Sequence, residues 1–335
     1  MPRHKIDNLV FELTEACNQR CRFCYNYWRD DSTPIPPPDP KLCSRTLRKL
    51  LSQVSIGTIS FSGGEPMTMP SVTDLALRCR FKGSAVNVLT NGTLLTEEHI
   101  RNFKNIGIGA MQIPLLSADP AVHDYLTCLP GSWEKAVKAL RTVSALYSGH
   151  AYAVLVMNKV NAPGIPATLE LLHDCGVHGV MVNRFNLGGQ GLLHRDELVL
   201  DREGLRKAFA DVDAFAARHP SMRFTSGVCT PMCLVMPSEF PNIQFTFCST
   251  DFNRRPVAVN FRGDVRFCNH SPKVLGNIYE RPISVILADP AAAEYYNAVP
   301  DHCKGCKYLH PCNGGCRAAS EQVYGTFAAV DPVLD

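Results

Sequence analysis

Asn8-Leu9-Val10-Phe11-Glu12-Leu13 is a short apolar run, and after Thr14-Glu15-Ala16 it passes into Cys17-Asn18-Gln19-Arg20-Cys21-Arg22-Phe23-Cys24. The first part reads as a buried strand and the second as the loop at its end. Three thiolates on one short loop can converge on a single cubic iron-sulfur cluster. They leave its fourth iron without a protein ligand, open to a bidentate cofactor.

Outward from this loop, the pattern of strand, polar or glycine-rich turn and amphipathic stretch recurs. Strands are expected at Asn8 to Leu13, Thr58 to Ser62, Ala85 to Thr90, Ala110 to Leu115, Ala151 to Met157 and Gly179 to Asn183. Helices are expected at Thr46 to Val54, at Thr96 to Asn105 with Thr96 as N-cap, and at Ser132 to Leu146 with Ser132 as N-cap. A further helix, Asp201 to Arg218, places Leu205, Ala208, Phe209, Val212, Phe215 and Ala216 on one face. Six βα units in succession predict an α/β fold with a parallel sheet. The alternation fades near residue 220, where short strands at Val257 to Phe261 and Val265 to Cys268 sit among Gly, Pro and Cys, so two domains are expected, 1–220 and 221–335. Ser32 to Pro40, STPIPPPDP, reads as an extended connector.

The chain has 335 residues, with 34 basic and 31 acidic side chains and a net charge of +3. That balance gives no reason to expect a nucleic-acid or membrane partner. Fifteen cysteines are the unusual quantity. Met1 to Leu13 lacks the apolar core of a signal peptide, and no apolar run is long enough to span a bilayer, so a cytoplasmic location is expected. In that reducing compartment clustered cysteines read as metal ligands. Cys43, Cys79 and Cys175, in or beside helices, read as small core residues.

Two further turns fall at strand ends. Gly63-Gly64-Glu65-Pro66 offers close backbone approach to a ligand and a carboxylate for a cationic amine, and Thr90-Asn91-Gly92 closes the third strand. In barrels of parallel strands the carboxyl edge is where active sites form. With C-x3-C-x2-C, an aromatic before the last Cys, and the GGEP turn, the chain resembles the radical S-adenosylmethionine (SAM) superfamily over roughly residues 7 to 190. The resemblance implies a partial (β/α)6 barrel resembling a TIM barrel. It implies a 4Fe-4S cluster on Cys17, Cys21 and Cys24, with SAM on the fourth iron, Phe23 near its adenine, and Gly63, Gly64 and Glu65 at its amine. Cleavage of SAM would give a 5'-deoxyadenosyl radical that abstracts hydrogen from a substrate. Asn91, Ser117, Asn158 and Arg184, near strand ends, are expected to touch SAM or substrate. His123-Asp124 matches an element of peptide-modifying relatives, and Cys128, at the same edge, is a candidate hydrogen donor.

The remaining cysteines follow Cys248-x14-Gly263-x4-Cys268 and Cys303-x2-Cys306-x5-Cys312-x3-Cys316. By spacing alone the last four read as a zinc ribbon. Together the two halves resemble the SPASM extension of radical SAM enzymes, which carries auxiliary 4Fe-4S clusters. By that pattern one cluster takes Cys248, Cys268, Cys316 and an upstream cysteine, Cys233 or Cys229. The other takes Cys303, Cys306 and Cys312 and lacks a downstream fourth cysteine. Asp331, Glu321, His310, an open iron or Cys229 are alternatives for that position, as is the absence of a second cluster.

SPASM-bearing relatives imply oxidative modification of a ribosomally made peptide. An oxidoreductase, dehydratase or epimerase of a small natural product, such as an aminoglycoside, is the alternative. The expected partners are a precursor peptide or small molecule, a separate leader-binding protein, since the first strand starts close to Met1, and an electron donor such as flavodoxin or ferredoxin. A non-catalytic zinc-binding interaction module is a third reading.

Overall fold

The computed structural model describes residues 4–29, 34–249 and 256–335. Six strands form the parallel frame: β1 (His4–Glu12), β2 (Val54–Ser62), β3 (Ala85–Leu89), β4 (Ala110–Pro114), β5 (Ala151–Met157) and β6 (Gly179–Arg184). Each pairs with the next in parallel register, for example Phe11 with Phe61 and Val88 with Met111. Helices return the chain between them: α1 (Pro40–Gln53), α2 (Val72–Phe81), α3 (Glu97–Ile106), α4 (Pro120–Thr127), α5 (Ser132–Leu146) and α6 (Ile165–Asp174). The expected alternation therefore holds through six strands.

Strand periodicity explains the layering. Val86, Val88, Met111 and Ile113 are fully buried and join one core with Leu75, Ile100 and Phe103 of the helices. Their neighbours Asn87, Gln112 and Val154 are half-buried and face away from the helices, because successive side chains of a strand point to opposite faces. The parallel sheet thus has a packed outer face and a more open inner one.

Some element ends differ from the sequence reading. α1 starts at Pro40 rather than Thr46, because Asp39 caps it by accepting from Leu42 N and proline suits a first-turn position. Ser32 and Thr33 of the expected connector lie outside the described residues. Thr96 caps α3 in a reciprocal box with His99. Ser132 is not the cap of α5; Gly131 is, and the Ser132 hydroxyl donates to Asp124.

The sheet also runs beyond residue 220. After α7 (Arg195–Leu198) and α8 (Arg202–Arg218), β7 (Arg223–Ser226) pairs parallel to β6, and β8 (Gln244–Phe245) pairs parallel to β7. Phe209 of α8 packs with Phe240 and Phe245, with ring centroids 5.9 and 5.2 Å away. At the opposite edge β9 (Val257–Asn260) pairs parallel to β1, followed by an antiparallel meander of β10 (Asp264–Arg266) and β11 (Val274–Asn277). The order β11-β10-β9-β1-β2-β3-β4-β5-β6-β7-β8 has two free ends, so the barrel is open. No helix among the described residues is long and apolar enough to cross a membrane.

Candidate active site

The carboxyl ends of β1, β2 and β3 meet at one place. The cysteine loop is tied to the end of β2 by Gly64 N to Thr14 O at 2.8 Å and Glu65 N to Ala16 O at 2.7 Å. It is tied to the end of α4 by Arg22 N to Leu126 O at 2.9 Å and Arg20 N to Thr127 O at 3.2 Å. Arg29 donates to Gln19 O from within, and Asn26 Nδ2 donates to Gly63 O at 3.0 Å. The loop is therefore fixed by backbone bonds to two elements.

The paired glycines serve this docking. A Cβ on Gly63, whose φ is +122°, would sit 2.3 Å from Thr14 O, and one on Gly64 would sit 2.2 Å from Ala16 O. The close approach expected of a ligand is thus made, at these positions, by the cysteine loop's own backbone.

Cys17, Cys21 and Cys24 are each partly buried. Burial pushes the Cys17 thiol up to about 11 and Cys21 well above its ordinary value; the charge of Cys24 adds at both, and Arg29 offsets part of the rise. Three soft sulfur donors on one loop suit an iron cluster, which takes them in the thiolate form. Among the described residues no three ligating side chains group closely enough for one metal ion. A cube whose irons take one thiolate each makes no such demand.

Glu65 is 1% exposed, and its carboxylate accepts from Thr90 Oγ1 (2.6 Å), Asn91 N (2.7 Å) and Met67 N (2.9 Å). Burial raises its pKa to about 7 against those three donors. Asn91 Nδ2 donates to Asn18 Oδ1 at 2.8 Å, so the β3 turn touches the cysteine loop directly. Phe23 packs on a small apolar group of Leu116, Leu126, Phe185, Leu187 and Leu198.

Other expected contacts are engaged locally. Ser117 Oγ accepts from Asp119 N, and Asn158 Oδ1 accepts from Val160 N and Asn161 N, each closing a turn. His123 Nδ1 accepts from Leu116 N, and burial pulls its pKa down to about 4. Asp124 accepts from Gly131 N, Ser132 Oγ and Trp133 N at the start of α5. Cys128 is exposed, in left-handed conformation at φ 52°, where it ends α4 beside the cysteine loop.

Arg184 is 2% exposed and turned toward the C-terminal segment. Its Nη2 lies 2.5 Å from Asp331 Oδ2 and donates to Cys229 O at 2.8 Å. Asp331 also accepts from Cys316 N and Val333 N, and Glu321 accepts from Ser271 Oγ, so both carboxylates named as substitute iron ligands are engaged elsewhere. His310 is exposed.

Sequence reasoning passed over a seam between the two cysteine-bearing regions. Tyr25, next to Cys24, stacks on His270, two residues past Cys268, with ring centroids 3.7 Å apart. Tyr25 Oη accepts from Asn269 Nδ2 at 2.7 Å, and His270 Nδ1 from Asn186 Nδ2 at 2.7 Å. Gln322 Nε2 donates to His270 O at 2.6 Å. Burial, with Arg184 and Arg266 nearby, pulls His270 down to about 3 and keeps it neutral. Adjacency to Cys24 and Cys268 was the available signal. A buried pair, Glu12 with Arg266, adds a second link from β1 to β10.

Comparison with known proteins agrees with this architecture. The model of the radical SAM superfamily matches residues 11–172, and that of the SPASM iron-sulfur cluster-binding domain matches residues 248–313. A PqqA peptide cyclase of Streptomyces rochei is 26% identical, over 97% of this chain and 88% of its own. The Fe-coproporphyrin III synthase of Methanosarcina barkeri is also 26% identical, over 97% of this chain and 86% of its own. Among solved structures, Streptococcus suis SuiB superposes with a TM-score of 0.74 at 16% identity, over 99% of this chain and 77% of that one. The enzyme anSMEcpe with bound AdoMet gives 0.73 at 16% identity, over 98% and 93%. With the motif loop at the end of β1, the open parallel barrel and both family models in agreement, this chain belongs to the radical SAM superfamily, as an iron-sulfur and SAM-dependent enzyme with a C-terminal SPASM domain.

Proposed function

We propose that the protein is a peptide maturase that oxidatively modifies a ribosomally synthesised precursor. In this reading Cys17, Cys21 and Cys24 hold the SAM-binding cluster. When bound, the cluster and SAM supply a hydrogen-abstracting radical. Glu65, braced by Thr90, Asn91 and Met67, orients the SAM amine. Phe23 and its apolar neighbours shield the adenine side from water. The half-buried inner face of β3 and β4, with Asn87 and Gln112, offers polar contacts to a substrate entering the barrel.

The observation that carries this reading is the Tyr25–His270 stack. It couples the loop of Cys24 to that of Cys268, so iron on the auxiliary side is within one packed seam of the site of abstraction. An electron left on substrate then has an acceptor nearby, which favours a net oxidation. Likeness over nearly the whole chain to a peptide cyclase supports a peptide as the oxidised partner. The equal likeness to a coproporphyrin synthase supports a small-molecule reading as the second possibility.

The test is to incubate reconstituted enzyme, SAM and a reductant with peptides encoded beside its gene. A peptide that raises 5'-deoxyadenosine formation and loses a pair of hydrogens by mass supports the proposal. Stimulation by small molecules alone, with every such peptide unchanged, overturns it.

A further inference from the structure

The contacts around the C-terminal cysteines fall into two sets. In the first set, Arg184 reaches Cys229 O through Nε and Nη2, at 3.2 and 2.8 Å, and its partner Asp331 accepts from Cys316 N at 2.7 Å. One buried ion pair thus holds the backbones of Cys229 and Cys316 together. The Cys316 sulfur accepts from Asn186 Nδ2 at 3.4 Å; the same Nδ2 donates to His270 Nδ1, and His270 N donates to Cys268 Sγ at 3.5 Å. Asn313, in the turn between Cys312 and Cys316, donates to Cys248 O at 2.7 Å.

In the second set, the Cys312 sulfur accepts from Met232 N at 3.4 Å, which puts it against the residue before Cys233. Pro231, midway between Cys229 and Cys233, packs so closely on Gly315, beside Cys316, that a Cβ there would lie 2.8 Å from Pro231 Cγ, which seats this loop against the turn from Cys312 to Cys316. Cys303 and Cys306 are joined by a backbone bond of 3.1 Å in one turn, and Cys303 Sγ lies 3.5 Å from where a Cβ on Gly314 would be.

We propose that Cys233 completes the second auxiliary cluster with Cys303, Cys306 and Cys312, and that Cys229 completes the first with Cys248, Cys268 and Cys316. The loop after β7 therefore feeds both clusters. Its turn, closed by Leu234 N and Val235 N on Pro231 O, presents Cys229 O to Arg184 and Met232 N, next to Cys233, to the Cys312 sulfur. The absence of a cysteine after Cys316 is made good from upstream, and both clusters are all-thiolate, each thiol giving up its proton to bind iron.

The proposal concerns iron ligands and is independent of which substrate the enzyme takes. Its test uses full-length protein with Cys17, Cys21 and Cys24 changed to Ala, so that auxiliary iron alone is read, by iron content and the spectra of the reduced clusters. Cys233→Ala is expected to alter the paramagnetic species that Cys306→Ala alters and to spare the one that Cys268→Ala alters; Cys229→Ala should do the reverse. Cys233→Ala altering the Cys268 species, or neither, overturns the assignment. A second measurement avoids variants altogether. Cys233 and Cys306 are both exposed thiols, so in the iron-loaded native protein both should resist alkylation that modifies them readily in the iron-free protein. Equal labelling of Cys233 in the two forms overturns the proposal.

Discussion

The two cysteine-bearing regions solve the same problem by opposite routes. At the N-terminus the three cysteines proposed to hold the SAM-binding cluster lie within eight consecutive residues on one loop, and the fold braces that loop against β2 and α4. At the C-terminus the cysteines between residues 229 and 316 come from segments joined only in three dimensions, by the Arg184–Asp331 pair and the packing of Pro231 on Gly315. A local set can be read from spacing; a dispersed one depends on contacts that spacing does not encode. The first should therefore respond to ligand loss, and the second to loss of the scaffold as well.

The largest expected effect lies in the local set. Replacing Cys17, Cys21 and Cys24 together with Ala should abolish reductive SAM cleavage and leave auxiliary iron in place. Undiminished 5'-deoxyadenosine formation, or loss of all iron, would break the separation of the two regions.

The next effect belongs to the dispersed set. Asp331→Ala leaves the Arg184 guanidinium buried without its partner, which costs about 3–5 kcal/mol. Removing both charges, as Arg184→Met with Asp331→Ala, should cost less than the single change, because no unpaired charge remains. Urea denaturation of the iron-free forms measures this order. A double variant less stable than Asp331→Ala would mean that the backbone bonds to Cys229 and Cys316 outweigh the charge.

This contrast also explains what was legible beforehand. The six strands β1 to β6 could be placed because their apolar runs end in turns of distinct chemistry, and Cys17, Cys21 and Cys24 because their loop follows β1 directly. Cys43, Cys79 and Cys175 are buried as their helical positions implied. β8 is two residues long and carries no pattern. Arg184 stood at a strand end with the chemistry to bind a carboxylate, but nothing in the sequence said that the carboxylate was Asp331, 147 residues on. Asp124 was visible beside His123, but its role as acceptor for three donors at the start of α5 depends on how α4 turns into α5.

Smaller effects sharpen the bracing of the local set. Gly64→Ala forces a Cβ against Ala16 O, and overpacking of this kind costs roughly 1–3 kcal/mol. Displacement of the cysteine loop should also lower iron retention at the SAM site while auxiliary iron stays unchanged. Iron counts with SAM-site spectra check this, and a variant that binds both normally would show that the loop docks by other contacts. Glu65→Gln is milder. An amide has one acceptor oxygen, so one of the donors now on the two carboxylate oxygens meets an NH2 group, and the charge opposite the SAM amine is lost. Loss of a charge-assisted hydrogen bond of about 1.5–3 kcal/mol implies at least roughly tenfold weaker SAM binding. Calorimetric titration at unchanged iron content measures it, and unaltered affinity would remove Glu65 from the amine site.

The smallest expected effect is at Cys128, a thiol beside the local set but outside its ligand spacing. Its Sγ contacts only Tyr125 O among the hydrogen-bond partners described, at 3.6 Å, and its left-handed backbone ends α4 with or without a sulfur. Cys128→Ala keeps that conformation with an L residue already there, so stability should stay within about 0.5 kcal/mol. Iron content in both regions should be unchanged. The consequence for chemistry separates the two functional readings. A peptide oxidised by loss of a hydrogen pair passes its electron to the auxiliary side and takes no hydrogen back, so Cys128→Ala should still give modified product. An epimerisation must return a hydrogen atom to the substrate radical, and an exposed thiol at the barrel edge is suited to supply it. Product formation that stops in Cys128→Ala while 5'-deoxyadenosine still accumulates, together with solvent deuterium in the native product, would transfer the assignment from peptide oxidation to hydrogen return.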